Sequence, residues 1–192
     1  MKRRDFFKLG AGKTAEIAFR VAGAAVAERA KHWLRPPYAR DELDFLLACT
    51  RCDACITACP HDVIFALPAR LGVQVAGTPA MDLLNRGCHM CADWPCVAAC
   101  EPDALKRPAP DAPPKLARAR IDTDVCLPYL GPECGACADS CPVPGALRWT
   151  DGVRPVIDED ICTGCALCRE ACILDPKAVV VSAVVRPPAE AR

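Results

Sequence analysis

Aromatic residues are scarce: Phe, Trp and Tyr make up 5% of the 192 residues. So little ring surface cannot build a large apolar core, and some other means must hold the fold together. Charge of either sign is balanced, with 24 basic and 24 acidic side chains. Electrostatics therefore give no reason to expect nucleic acid as a partner. No run of 18 apolar residues occurs, so no transmembrane span is expected. The Gly-x-Gly-x-x-Gly fingerprint of flavin and nicotinamide binding is missing. No cluster of histidines and carboxylates offers acid–base chemistry. These absences leave no visible apparatus for turning over a substrate.

What the chain has instead is 16 cysteines and 19 prolines. The prolines argue for short turns and against long regular elements. The cysteines fall in four runs. The first is Cys49-Thr-Arg-Cys52-Asp-Ala-Cys55-Ile-Thr-Ala-Cys59-Pro60. Two-residue gaps turn the backbone around one corner, so that three sulfurs can reach one inorganic core. This is the spacing of a bacterial ferredoxin half-site for a 4Fe–4S cluster, in which the fourth cysteine ligates the other cluster of a pair. The second run is Cys88, Cys91, Cys96 and Cys100, with its middle gap widened by Ala92 to Pro95 and its proline delayed to Pro102. The third is Cys126, Cys134, Cys137 and Cys141, closed by Pro142, with the insert from Leu127 to Glu133 displacing its first cysteine. The fourth is Cys162, Cys165, Cys168 and Cys172, with Ile173 in place of proline.

Other cysteine chemistries fit less well. Disulfides are disfavoured because three thiols crowd where pairing geometry is poor. Zinc needs two Cys-x2-Cys pairs per ion and does not call for the extra cysteines of each run. The runs recur every 36 to 39 residues, each followed by strand-like sequence. The expected fold is α+β: two ferredoxin-like modules of short strands and helices around four 4Fe–4S clusters, plus an N-terminal helix. The sixteen cysteines are the expected ligands. Whether the runs pair sequentially or in a nested way is open from spacing alone.

Between the runs, several elements are expected. Asp41 to Ala48 is a short helix whose Phe45 and Leu46 pack in the core. Val63–Leu67 and Val73–Val75 form two strands around Pro68 to Gly72. Lys115 to Asp122 alternates as an edge strand with Arg118 and Arg120 on a solvated face. Ala146–Trp149 and Arg154–Ile157 form a hairpin turning at Asp151-Gly152, and Ala178–Val185 is the last strand. His89 is a packing residue rather than a ligand, and Trp94 shields a cluster from water. Gly164 lets the backbone approach the sulfurs.

The start, Met1-Lys-Arg-Arg4-Asp-Phe-Phe-Lys8, resembles a twin-arginine export signal, which implies a periplasmic location. Charged residues Lys13, Glu16, Arg20, Glu28, Lys31 and Arg35 interrupt the apolar segment that such a signal needs. Leu9 to Trp33 therefore fits one amphipathic helix with a solvated stripe. The alternative is a cytoplasmic or membrane-associated protein whose retained leader lies on the cluster domain, a partner or a membrane surface. The domain boundaries are a leader and helix over 1–35, a polyferredoxin domain over 36–186 and a tail over 187–192. Within that domain the motifs span 49–60, 88–102, 126–142 and 162–176.

Arg35-Pro-Pro, the first run, Cys91-Ala-Asp-Trp-Pro-Cys96-Val-Ala-Ala-Cys100, Cys126-Leu-Pro-Tyr-Leu-Gly and Cys162-Thr-Gly-Cys165 together resemble the MauM/NapG-type polyferredoxins. Cys49-Thr-Arg-Cys52-Asp-Ala-Cys55 is similar also to the related NapF proteins. The resemblance implies electron transfer for a periplasmic reductase or dehydrogenase of the nitrate reductase or amine dehydrogenase type. It implies redox protein partners, among them a membrane quinol-oxidising subunit and a terminal reductase. The second run's spacing also resembles four-cluster subunits of molybdenum oxidoreductases. That likeness implies nested pairing: Cys49/Cys52/Cys55/Cys172, Cys162/Cys165/Cys168/Cys59, Cys88/Cys91/Cys96/Cys141 and Cys126/Cys134/Cys137/Cys100. The leading expectation is a non-catalytic electron carrier. The alternatives are an accessory or maturation protein that binds a partner reductase and, more remotely, a zinc-stabilised interaction module.

Overall fold

The computed structural model describes residues 33–108 and 112–184. The expected leader, the helix from Leu9 to Trp33 but for its last residue, and the tail lie outside the described residues. The described chain is α+β, with short helices and three separate two-stranded sheets. Among the described residues, no helix is long and apolar enough to cross a membrane.

Helix α1, Glu42–Ala48, begins after Asp41 in extended conformation. Glu42 and Asp44 place negative charge in its first turn, where the helix dipole favours it. Phe45 is fully buried on its inner face, and Leu46 is half-buried. Cys49 turns extended at the end, so the first cysteine run leaves the helix directly.

Three of the four runs share one local design. A residue in the left-handed region precedes a short helix that carries the third cysteine. Asp53, at φ 59°, opens α2, Ala54–Thr57. Trp94, at φ 49°, opens α3, Pro95–Ala98. In the last run, Ala166, at φ 65°, opens α5, Leu167–Ala171. Cys55, Cys96 and Cys168 are buried on these helices. The widened gap of the second run falls before its left-handed residue, so it lengthens the loop and leaves the helix intact. The third run differs. Its insert forms α4, Leu127–Leu130, and Gly131 turns the chain back. Cys137 then leads into a single 3-10 turn, Ala138–Ser140.

The strands tie the runs together. β1, Ile64–Ala66, pairs antiparallel with β2, Pro79–Met81, in the register Ile64 to Met81. The expected strand at Val73–Val75 is not there. That stretch is a turn, with Val73 89% exposed. Arg51 fixes it by donating to the Ala76 and Gln74 carbonyls, at 2.9 and 3.1 Å. β3, Ala117–Ile121, pairs antiparallel with β6, Val179–Ala183, with Arg118 and Arg120 exposed as the alternation predicts. β4, Leu147–Thr150, and β5, Arg154–Ile157, form the expected hairpin. Asp151 and Gly152 are both left-handed at its turn, which suits the twist of the strands.

One buried cluster runs through the whole described chain, from Phe45 and Leu83 to Leu116 and Val179. Many of its members are alanines or cysteines. The fold is thus thin in apolar bulk, as the composition predicts.

Candidate metal centres

The short helices aim cysteines into hollows, and each hollow gathers thiols from two runs. Helix α2 packs against α3. One hollow there is lined by Cys49, Cys52, Cys55 and Cys100, under Phe45 and Leu105. A second is lined by Cys59, Cys88, Cys91 and Cys96, under Trp94 and Met81. Helix α5 packs against the turn Ala138–Ser140. A third hollow there is lined by Cys141, Cys162, Cys165 and Cys168. The walls of the three hollows differ, but each is lined by four cysteines. The remaining cysteines also meet: Cys126, Cys134 and Cys172 all bear on the ionisation of Cys137.

The thiols that line one hollow come from neighbouring runs, a grouping that differs from the nested expectation. Cys172 does not join Cys49, Cys52 and Cys55; Cys100 does. Cys59 does not join Cys162, Cys165 and Cys168; Cys141 does. Cys59 instead completes the group of Cys88, Cys91 and Cys96. Cys172 stands with Cys126, Cys134 and Cys137. The physical reason is helix packing. A fourth cysteine sits one turn after the third, so it faces whichever helix its own packs on. The insert before Cys134 leaves Cys126 in its group, because α4 and Gly131 fold it back.

The thiols sit where charge is costly. Burial pushes Cys55 up to about 11, with Cys100, Cys49 and Cys52 adding repulsion. Burial likewise pushes Cys96 up to about 12, with Cys88, Cys59 and Cys55 adding to it. Cys168 goes up to about 12 by burial, then by Cys165 and Cys162. Cys88 and Cys137 each rise to about 11, burial again leading. Exposed Cys52 differs: the Ala54 backbone N–H, then the Thr50 side chain, hold it below its usual range.

A centre carrying several cations would reverse this cost, because thiolates bind soft metal and lose their protons on doing so. Some sulfurs already accept backbone hydrogen bonds. The Leu105 N–H donates to Cys100 Sγ and the Gly164 N–H to Cys162 Sγ, both at 3.3 Å. Among the described residues, no three of His, Cys, Asp and Glu converge as tightly as one metal ion requires. The thiols ring hollows instead. The donor set, all sulfur in an apolar wall, fits an iron–sulfur core.

Around the hollows, His89 stacks on His61 with ring centroids 3.6 Å apart, in keeping with a packing role. Trp94 is buried and meets Tyr38 edge-on at 5.0 Å. Several supporting residues carried no local sequence signal. Arg35, assigned by its spacing to a solvated stripe, is buried and forks onto Glu42. Glu170 accepts from the Gly87 N–H at 2.9 Å, and Arg169 donates to the Leu84 carbonyl at 2.8 Å. Each pair is more than 80 residues apart in the chain, so spacing could not reveal it.

Comparison with known proteins places the chain among ferredoxin-type relatives. It is 35% identical over 162 residues to the ferredoxin-type protein NapG of Haemophilus influenzae, covering 77% of this chain and 58% of that protein. It is 36% identical over 163 residues to the methylamine utilization ferredoxin-type protein MauM of Methylorubrum extorquens, covering 77% and 71%. It is 35% identical over 147 residues to the ferredoxin-type protein NapF of Escherichia coli, covering 75% and 82%. The chain thus spans less than two thirds of the Haemophilus relative's length. No family model and no solved structure matches it.

Proposed function

Because the chain belongs to the family of NapG, MauM and NapF ferredoxin-type proteins, we propose that it is a non-catalytic electron relay built on four 4Fe–4S clusters. It works in two ferredoxin-like modules, the first formed by the first two cysteine runs and the second by the last two. The observation that carries this reading is the crossing of Cys59, Cys100 and Cys141 into the hollows of their neighbouring runs. That crossing is what paired ferredoxin sites require.

The ligand sets are Cys49, Cys52, Cys55 with Cys100, and Cys88, Cys91, Cys96 with Cys59. The second module supplies Cys126, Cys134, Cys137 with Cys172, and Cys162, Cys165, Cys168 with Cys141. When bound, each cluster supplies a site that takes up and gives back one electron. The chain's own residues do the rest. Phe45 and Trp94 exclude water from the first two hollows. The N–H groups of Leu105 and Gly164 stabilise charge on their sulfurs, a lever on reduction potential. Exposed Cys52 puts the first set at the surface, where a protein partner can come close.

The partners in this proposal are redox proteins of a nitrate reductase or amine dehydrogenase system, with a quinol-oxidising membrane subunit on one side and a terminal reductase on the other. The twin-arginine-like start supports export to the periplasm, and fractionation of the expressed full chain tests that. The central experiment is anaerobic purification with iron and acid-labile sulfide analysis. The expected result is about sixteen irons and as many sulfides per chain. Zinc without sulfide would leave only a zinc-stabilised module. Binding to the metal-free form of a partner reductase in preference to its mature form would favour the maturation role.

A further inference from the structure

A seam of hydrogen bonds joins the two modules and brings together cysteines that are far apart in sequence. The Cys88 N–H donates to the Cys165 carbonyl at 2.7 Å. Three further links flank this bond. The Gly87 N–H donates to Glu170 Oε2 at 2.9 Å. Arg169 Nε donates to the Leu84 carbonyl at 2.8 Å. The Thr163 hydroxyl donates to Met90 Sδ at 3.2 Å. The approach is close because position 87 has no side chain. A Cβ there would lie 2.6 Å from Leu167 Cδ2 and 2.8 Å from Leu167 Cα. One of those atoms is backbone of α5 and cannot swing aside.

Packing gives the order on either side of the seam. Helices α2 and α3 pack together and Cys100 of the second run lines the hollow of Cys49, Cys52 and Cys55, so the first and second sets adjoin. Helix α5 packs on the Ala138–Ser140 turn that follows Cys137, and Cys141 of the third run lines the hollow of Cys162, Cys165 and Cys168, so the third and fourth sets adjoin.

We infer that the four cysteine sets form one row in the order first, second, fourth, third, and that the Cys88–Cys165 hydrogen bond is the direct through-bond contact between a cysteine of each middle set. Gly87 is the positioning residue that permits it. The row does not follow chain order: the second and fourth runs are the middle pair. With clusters held by the two middle sets, an electron crossing the seam would oxidise one and reduce the other, with no atom or proton exchanged. The reductant that starts it is a partner redox protein, for which dithionite substitutes in the test. This inference rests on the iron–sulfur reading above.

The experiment is electron paramagnetic resonance on the full-length, iron-loaded protein after dithionite reduction. One row predicts three nearest-neighbour spin couplings, whereas two separate modules predict two. Wild-type spectra that two independent pairs describe would overturn the inference. In Gly87→Val the iron content should stay near sixteen and the middle coupling should be lost, leaving two. Three couplings surviving in that variant at full iron content would also overturn it. If the variant loses iron, the wild-type count of couplings still decides. Failure of the underlying reading looks different: the wild type would then hold neither sulfide nor a dithionite-induced signal.

Discussion

Gly164 lies against the backbone of Ala117, so close that a Cβ at 164 would stand 2.0 Å from the Ala117 carbonyl oxygen. Its φ of 73° is also in the region that only glycine adopts freely. The contact seats the fourth cysteine run on β3, where the Leu116 N–H donates to the Thr163 carbonyl at 2.7 Å. The sequence suggests that Gly164 serves close approach to sulfur. The tighter constraint is this strand.

Gly164→Ala should therefore be among the most damaging single-methyl changes in the chain. Left-handed strain and overpacking together cost at least about 2 kcal/mol. The expected outcome is a lower urea midpoint for the iron-loaded protein, followed by visible absorbance, with the fourth set losing iron first. An unchanged midpoint would show that β3 can withdraw from the run.

Arg35 predicts a second sensitive position. Its guanidinium forks onto Glu42, and both side chains are only 8% exposed. It also donates to Thr78 Oγ1 at 2.9 Å and to the Pro79 carbonyl at 2.7 Å. Its face lies 4.5 Å from the Phe45 ring centre. Arg35→Ala would strand the Glu42 carboxylate in a buried place, at a cost of about 3–5 kcal/mol. Arg35→Lys should recover only part of that, because an ammonium cannot make the planar fork. Urea unfolding of the three proteins in parallel checks the ranking wild type, Lys, Ala.

The cysteine rhythm, the Asp151-Gly152 hairpin and the alternation of β3 were legible because each is a short-range pattern. The pairing of runs was not. It depends on which short helix packs on which, and Cys100 and Cys172 look alike in sequence until α2 meets α3 and α5 meets the 138–140 turn. β2 was missed because Pro79-Ala-Met81 lacks the β-branched residues of a strand. It forms since the Met81 N–H finds the Leu34 carbonyl at 2.7 Å while Ile64 pairs on its other side. Val73–Val75 has better strand residues but is bent by Arg51 into a turn.

Removing the metal should undo the fold. Eight of the buried apolar residues are alanines, at positions 39, 80, 104, 117, 119, 146, 166 and 178. Each buries little area, so the apolar contribution is small. The thiols that line the hollows would be left facing one another without the cores that join them. Anaerobic chelation should abolish the near-ultraviolet circular dichroism and raise binding of a hydrophobic dye. A cooperative thermal transition persisting in the iron-free chain would contradict this.

Sequential grouping makes a prediction about pairs of cysteine substitutions that nested grouping reverses. Cys49 and Cys100 line the same hollow, whereas Cys134 belongs to another group. Losing one ligand empties a site, and losing a second from the same site costs nothing more. Cys49→Ser and Cys100→Ser should each remove about four irons, and the double variant should remove the same four. Cys100→Ser combined with Cys134→Ser should remove about eight. If Cys100 instead served the set of Cys126, Cys134 and Cys137, the results would change places: the first double variant would lose eight and the second four. Iron analysis of five proteins, each beside its own sulfide count, is enough to choose between the two.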